Sequence, residues 1–322
     1  MAVSLSSNTE TIFEFDLPYA IPVPDGSYSI KVGSRIGTLL IKRIQRDEVV
    51  GFRGSGNFQL VFDKYGKSSL SKIQLTLPWI VNLKEEGRKP ILLEKGTARL
   101  KAKEKVLKIL NQFIESVRYV TGEYWVEPAR YQDILSYQIF YLDGQKKHPA
   151  MLTLIDSGVG GIAVGTDHPF KISDEKIQQL NDVLVGKKEL DISHIFLLNA
   201  KDASFQEDFR LATVEAVIAL EMVLYKFILE RGKKLGIPNG TLRNFIKETG
   251  LSGNMKVVLK MLTEGLPQID DTVINNCKGA ITARNKILHA GFRDVPSTVT
   301  EERIIEIEKM LTYLRNLIAV IQ

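Results

Sequence analysis

The stretch Asp271–Ala290, DTVINNCKGAITARNKILHA, decides how the second half of the chain is interpreted. Wound at about 100° per residue, it gathers most of its apolar side chains on one broad arc, formed by Val273, Ile274, Cys277, Ala280, Ile281, Ile287 and Leu288. This spacing predicts an amphipathic α-helix that buries the arc. Arg284 falls in the middle of the arc. Asn285 and His289 are four residues apart, so they share one face of the helix and lie on the edge of the arc.

Arg284 needs an anionic partner, because a guanidinium that faces a protein core is costly unless an anion meets it. A second helix, predicted at residues 206–234, carries Glu221 at the centre of its own apolar arc. Two long helices thus each carry one charge among apolar residues, and the charges are opposite. We expect Glu221 and Arg284 to meet across the helix interface. If the pair is fully buried, losing one partner costs about 3–5 kcal/mol, and the pair alone is compatible with a structural role.

His289 adds the means of proton transfer, since an imidazole can donate or accept a proton near neutral pH. Beside a fixed cation, these groups suit the cleavage of a phosphodiester, with proton transfer by His289 and charge stabilisation by Arg284. No group of carboxylates or histidines at metal-ligand spacing is evident in the sequence, and a metal-dependent nuclease needs one. We therefore expect neither a metal nor another cofactor.

The two halves of the chain differ in their sequence patterns. Before about residue 172, short runs rich in Val, Ile, Leu and Phe predict strands, namely TIFEFDLP, GTLLIKRI, FQLVFDKYG and KIQLTLP. A hairpin is predicted at Asp143-Gly144, and one long helix at residues 96–122. From residue 173 the pattern is helical almost throughout. The expected fold class is α+β, with a β-rich domain that contains one long helix over residues 1–172 and an all-α helical bundle over residues 173–322.

Helix boundaries in the second half follow from capping signals. Ser173 and the acids after it suit a helix start, and Thr298 with Glu301 has the spacing of a capping box. Helices are predicted at residues 192–203, 206–234, 271–290 and 298–321, with two shorter ones in TLRNFIKETG and NMKVVLKMLTEG.

Composition sets the broad class of protein. The 322 residues suffice for two domains that each bury a core. The sequence has no apolar run long enough to span a membrane, and its start lacks the order of a secretory signal. A single cysteine, Cys277, cannot form an internal disulfide, which fits a reducing compartment. We expect a cytoplasmic protein, and the formal net charge of +5 identifies no partner.

The segment RNKILH resembles the R-N-x-x-x-H motif of the HEPN superfamily (higher eukaryotes and prokaryotes nucleotide-binding). These are all-α domains that include many metal-independent endoribonucleases. The segment LLNAKDASFQEDFRLATVEAVIALEMVL is similar to the helix, short turn and long alanine-rich helix with a buried acid that precede the motif in such domains. The closing helix also fits. The resemblance covers about residues 173–322 and none of the first 172.

The resemblance implies a role for each matching residue. Arg284 and His289 would be the catalytic pair, Asn285 would position the arginine or the scissile phosphate, and Glu221 would hold Arg284. It implies attack by an RNA 2′-hydroxyl on the adjacent phosphate, which leaves a 2′,3′-cyclic phosphate. It also implies a homodimer whose two motifs line one cleft, and a role as a toxin or anti-phage effector. Other members of the superfamily keep the fold without activity.

Two other interpretations stay open. In one, the helical half is a non-catalytic module in which Arg284 and Asn285 hold a nucleotide or RNA, or in which Arg284 simply pairs with Glu221. In the other, it is a structural interaction protein with no affinity for RNA. The strands of the first 172 residues suggest a sensing or docking domain for an unknown trigger, by analogy with effector architectures. No set of residues there specifies a ligand.

Overall fold

The chain forms two compact units in a computed structural model, Met1–Leu190 and Asp191–Gln322, which we term the sheet unit and the helical unit. The structure describes residues 9–17, 21–44, 59–60, 70–79, 97–126, 128–130, 134, 137–152, 161–162, 172–290 and 295–322. Mixed α and β content agrees with the expected α+β class. The division between the units falls after Leu190, later than the expected boundary at residue 172.

The sheet unit is built on a six-stranded antiparallel sheet with the order β2-β3-β5-β1-β6-β7. Its strands are β1 (Glu10–Leu17), β2 (Gly26–Val32), β3 (Arg35–Ile44), β5 (Leu70–Leu77), β6 (Tyr137–Asp143) and β7 (Lys146–Leu152). A separate parallel pair joins β4 (Gln59–Leu60) to β8 (Gly161–Ile162). The predicted hairpin at Asp143-Gly144 is confirmed as the β6–β7 connection, where Gly144 has a φ of 60°.

One row of buried apolar side chains crosses five strands and forms the centre of the sheet core. In strand order the row consists of Tyr28, Leu39, Leu75, Phe13 and Ile139, each directly opposite the next. Helix α1 (Thr97–Thr121) contributes Phe113 to the same core, and its ring meets the Tyr28 ring edge-on at 5.3 Å. Alternation of apolar and polar residues places this row on one face of the sheet.

Helix α2 (Asp174–Leu184) belongs to the sheet unit, although we expected it to open the helical domain. Its start is as predicted, because Ser173 caps it by accepting a hydrogen bond from the Lys176 backbone N–H. Its buried face, formed by Leu180, Val183 and Leu184, joins the core of the sheet unit. Strand β2 was not predicted, and most of the expected strand in FQLVFDKYG lies outside the described residues.

The helical unit has one central helix, α4, that packs against most of the others. Its elements are α3 (Ile192–Phe205), α4 (Phe209–Lys234), α5 (Asn239–Gly253), a π-helical turn (Asn254–Val258), α6 (Leu259–Leu262), α7 (Asp271–Ala290) and α8 (Ser297–Ile321). Small buried residues on α4, among them Ala212, Ala216 and Ala219, leave room for its neighbours. None of the helices that the structure describes is both long and apolar enough to cross a membrane.

The predicted helices are present, but some of their predicted ends are wrong. Helix α7 has the predicted bounds, and α4 begins at Phe209 because Asp208 caps it through the Leu211 backbone N–H. The predicted capping box of Thr298 and Glu301 is wrong, since α8 begins after Pro296 without a side-chain cap. Leu288 is 51% exposed, so the apolar arc of α7 ends before it.

Candidate functional site

Arg284 and Glu221 face each other where α7 packs against α4. Arg284 Nη2 lies 3.8 Å from Glu221 Oε2, so the two charges meet as expected from the sequence. Their side chains are 25% and 29% exposed, which places the pair at the rim of the helix interface and not in the core. Water screens a pair in such a position. We therefore expect the loss of Arg284 to lower the free energy of unfolding by about 1–2 kcal/mol, which is less than for a fully buried pair.

The Arg284 guanidinium is held from a second side by the residue that follows it. Its Nη1 donates a hydrogen bond to Asn285 Oδ1 at 3.2 Å. Its Nε is buried, and none of the described residues accepts a hydrogen bond from it. A guanidinium has five N–H donors in a fixed plane, and two contacts do not use them all. Because part of the side chain is exposed, Arg284 can contact an anion such as a phosphate while it remains beside Glu221.

His289 lies on the last turn of α7, and its side chain is exposed. Five residues of α-helix rotate the side-chain direction by about 140°, so His289 and Arg284 point to different sides of α7. Four residues rotate it by only about 40°, which leaves His289 next to Asn285. The structure thus brings Glu221, Arg284 and Asn285 together, and it places His289 one turn further along at the surface.

Tyr225 joins this site, although sequence reasoning did not select it. It lies one helical turn after Glu221 on α4, so the two side chains are neighbours. Burial, and then the hydrogen bond and the negative charge of Glu221, raise the pKa of Tyr225 to about 12. At neutral pH the phenol therefore keeps its proton and donates a hydrogen bond to the Glu221 carboxylate. The i, i+4 spacing from Glu221 was a signal that could have identified it.

Asn254 lies behind Tyr225 at the first residue of the π-helical turn, which packs against both α4 and α7. It is fully buried, and its Nδ2 donates to the Ile246 carbonyl oxygen at 3.0 Å. Its side chain also hydrogen-bonds Tyr225, an interaction that opposes the rise in the pKa of that phenol. An amide nitrogen has two N–H groups, so one can serve Ile246 and the other Tyr225. The sequence contains no signal for a π-helical turn at this place.

A second polar cluster joins the start of α3 to the end of α8. Asp191 caps α3 through the Ser193 backbone N–H at 3.0 Å. Arg315 Nη2 lies 3.0 Å from Asp191 Oδ2 and donates to Ser193 Oγ at 2.9 Å. Burial, and then the charge of Arg315, lowers the pKa of His194. A groove of about 300 Å³ borders the cluster and is also lined by Met222, Val223, Lys226, Ile318, Ala319 and Gln322. The contacts of Arg315 therefore hold the end of α8 against the start of α3.

No protein-family model, curated protein or solved structure matches this chain. The resemblance to the HEPN superfamily therefore rests on the residues quoted above and stays a prediction. Among the residues that the structure describes, no three histidine, cysteine, aspartate or glutamate side chains are grouped to hold a metal ion.

Proposed function

We propose that the helical unit is a HEPN-type endoribonuclease that cleaves RNA with Arg284 and His289 and needs no metal. One observation carries the proposal. An arginine that is anchored by Glu221 and Asn285, yet reaches the surface, shares helix α7 with an exposed histidine one turn away. An anchored cation stabilises developing negative charge without having to reorganise, and an accessible imidazole can transfer protons to and from a substrate.

The reaction forms one bond to phosphorus and breaks another. The oxygen of an RNA 2′-hydroxyl attacks the adjacent phosphorus and loses its proton, while the bond from phosphorus to the 5′-oxygen breaks and that oxygen gains a proton. His289 assists the proton transfer, and Arg284 stabilises the charge on the non-bridging oxygens. The products carry a 2′,3′-cyclic phosphate and a 5′-hydroxyl. Asn285, which lies beside both residues on α7, keeps Arg284 oriented.

The active form that we propose is a homodimer. Within one chain, the directions of Arg284 and His289 differ by about 140° around α7, which is unfavourable for two groups that act on the same phosphate. Two copies that bring their α7 helices to one cleft would let Arg284 of one chain work with His289 of the other. The proposed partners are thus RNA, either single-stranded or tRNA, and a second copy of the chain.

The sheet unit enters the proposal as a sensing or docking domain for an unknown trigger. It has its own core, and its sheet is distinct from the helices that carry the candidate site. A chain with this organisation would act in the cytoplasm as a regulated toxin or an anti-phage effector. This part of the proposal is supported by analogy with effector architectures, in which a separately folded unit is attached to an effector unit.

RNA cleavage in EDTA tests the enzymatic proposal. The full-length protein is incubated with tRNA and with total RNA, in parallel with the variants Arg284→Ala and His289→Ala. We expect cleavage by the unsubstituted protein, at least about 100-fold slower cleavage by either variant, and a 2′,3′-cyclic phosphate in the product by mass spectrometry. His148→Ala, a matched histidine substitution in the sheet unit, should keep full activity. Equal cleavage by all four proteins would refute the catalytic roles.

A non-catalytic module is the second candidate, favoured by the contacts that Arg284 already makes with Glu221 and Asn285. In that case Arg284 serves the fold or holds a nucleotide or RNA without cleaving it. Electrophoretic mobility shifts at low salt separate these outcomes, since electrostatic RNA binding weakens steeply as salt rises. Binding that Arg284→Ala weakens, without cleavage, supports the module. A structural interaction protein shows no RNA affinity even at low salt.

A further inference from the structure

Five polar groups, two of them the Glu221–Arg284 pair of the candidate site, form a continuous chain across α5, the π-helical turn, α4 and α7. The Ile246 carbonyl of α5 accepts from Asn254 Nδ2 on the π-helical turn. Asn254 hydrogen-bonds the Tyr225 hydroxyl on α4, and that hydroxyl hydrogen-bonds the Glu221 carboxylate. Glu221 then faces Arg284 on α7 at 3.8 Å. Each group in the chain has a donor where its neighbour has an acceptor, so the interactions strengthen one another.

We propose that Tyr225 and Asn254 are positioning residues that hold the Glu221 carboxylate towards Arg284. The 3.8 Å separation is too long for a strong charge-assisted hydrogen bond, so this contact alone leaves the carboxylate free to rotate. Tyr225 lies one helical turn after Glu221, and its hydroxyl removes that freedom by hydrogen-bonding the carboxylate. Asn254 fixes the hydroxyl in turn, and Asn254 is itself immobilised by complete burial and by its bond to Ile246.

The π-helical turn explains how Asn254 reaches this position. Gly250 adopts a φ of 65° and a ψ of 170°, which interrupts the helix before the turn. A π-helical turn changes the direction of side chains relative to an uninterrupted α-helix, and such turns are frequent at functional sites. Here the turn contacts both helices of the Glu221–Arg284 pair. The backbone irregularity therefore serves the site by placing a buried amide beside Tyr225.

A double-mutant cycle on the full chain tests the coupling without reference to activity. Tyr225→Phe is made in the unsubstituted protein and in Glu221→Gln, and melting is followed by far-UV circular dichroism. We expect Tyr225→Phe to lower the melting temperature by about 2–4 °C in the unsubstituted protein and by less than half as much in Glu221→Gln. Equal shifts in the two backgrounds would overturn the proposal, because they would show that Tyr225 does not act through Glu221.

Tyr313→Phe is the matched control. Tyr313 lies on α8 of the same unit, and its hydroxyl donates to the Pro267 carbonyl oxygen at 2.8 Å, away from Glu221. Removing that hydroxyl should lower the melting temperature equally in both backgrounds. If Tyr313→Phe shows the same coupling to Glu221→Gln as Tyr225→Phe does, the coupling is a general property of the unit and the assigned role of Tyr225 is wrong.

A positioning role in RNA cleavage rests on the proposed function and is tested separately. We expect Tyr225→Phe to lower kcat about tenfold with little change in KM, and to have less than about a twofold effect in Glu221→Gln. If the unsubstituted protein cleaves no RNA, the proposed function fails while the melting cycle still decides the positioning chain. Unchanged kcat in Tyr225→Phe, with an active unsubstituted protein, rejects the positioning role and leaves the proposed function intact.

Discussion

Because Arg284 is only partly buried, its side chain can contribute both to stability and to chemistry. Removing the side chain leaves Glu221 without its cation, but the carboxylate is 29% exposed and keeps contact with water. We expect Arg284→Ala to lower the free energy of unfolding by about 1–2 kcal/mol. We expect His289→Ala to change it by less than about 0.5 kcal/mol, because the imidazole is exposed. Urea unfolding followed by circular dichroism measures both values.

These two variants distinguish the proposed roles of the two residues. A His289→Ala protein that loses RNA cleavage at unchanged stability has lost a chemical group, not part of its fold. A loss of 3 kcal/mol or more in Arg284→Ala would contradict the rim position and indicate a fully buried pair. Thr282→Ala, an exposed substitution on the same helix, controls for general effects on α7.

Cys277 is expected to make stability depend on alkaline pH. Burial, and then the negative charge of Glu306, raises the pKa of this thiol from 9.0 to about 12. Between pH 9 and pH 12 the unfolded chain therefore loses a proton that the folded chain keeps. The contribution of the thiol to stability is complete below pH 9 and declines above it, by about 1.4 kcal/mol per pH unit. Urea unfolding at a series of pH values measures this slope.

Cys277→Ala identifies the source of the alkaline loss. This variant should be less stable than the unsubstituted protein near neutral pH, because it leaves a small cavity. The difference between the two proteins should shrink as the pH rises from 9 towards 12. Tyr28 and Tyr225, whose pKa values are also raised to about 12, leave a residual pH dependence in both proteins. A constant difference across this range would contradict the assignment to Cys277.

The sequence pattern predicted that Glu221 and Arg284 meet, but it did not predict how deeply the pair is buried. Helical spacing was sufficient to bring Glu221 and Arg284 together, because two long helices with matching apolar arcs can pack in few ways. Spacing could not predict the exposure of the pair, because a place on an apolar arc does not fix how deeply a side chain lies in the helix interface. It also could not find Asn254, because its position depends on a π-helical turn that follows the left-handed Gly250.

On the scale of elements, Gly232 determines how closely α5 approaches α4. A Cβ at this position would lie 2.5 Å from Leu242 Cδ1 and 2.6 Å from Cδ2. Leu242 is 5% exposed, so it has little space into which to move. We expect Gly232→Ala to lower the free energy of unfolding by about 1–3 kcal/mol, although alanine is the better helix former. Thermal melts measure the change.

Two further variants test whether the contact with Leu242 causes the loss of stability in Gly232→Ala. Gly279→Ala, in the middle of α7, would meet Arg303 only at 3.5 Å, an ordinary contact, so we expect it to raise stability by up to about 1 kcal/mol. Shortening the neighbour with Leu242→Ala should make Gly232→Ala less damaging than it is alone. If both glycine substitutions are neutral, the close approach of α5 to α4 does not limit stability.

Helix ends were harder to predict than helix centres, for physical reasons that individual residues show. Apolar periodicity defined most of α7, since its buried residues extend from Val273 to Ile287. The start of α8 was misassigned because capping-box spacing is only one way to begin a helix, and Pro296 begins this one without it. Helix α2 has a helical pattern, but the pattern does not reveal which core Leu180 joins.

On the scale of the whole molecule, each unit has a hydrophobic core of its own, so we expect the two units to unfold in separate transitions. Both tryptophans, Trp79 and Trp125, lie in the sheet unit, so fluorescence reports on that unit. Circular dichroism reports mainly on the helical unit, which contains most of the described helices. The two signals therefore follow different parts of one chain.

Gly232→Ala should shift the circular dichroism transition of the full chain and leave the tryptophan transition in place. Phe113→Leu is the converse test, because Phe113 is fully buried in the sheet core against Tyr28. It should shift the tryptophan transition by a few degrees, through a loss of about 1–2 kcal/mol, and leave the helical transition unchanged. If either substitution moves both signals equally, the units unfold as one cooperative body. The candidate site would then depend on the sheet unit for its stability, and variants in either unit would change RNA cleavage through folding.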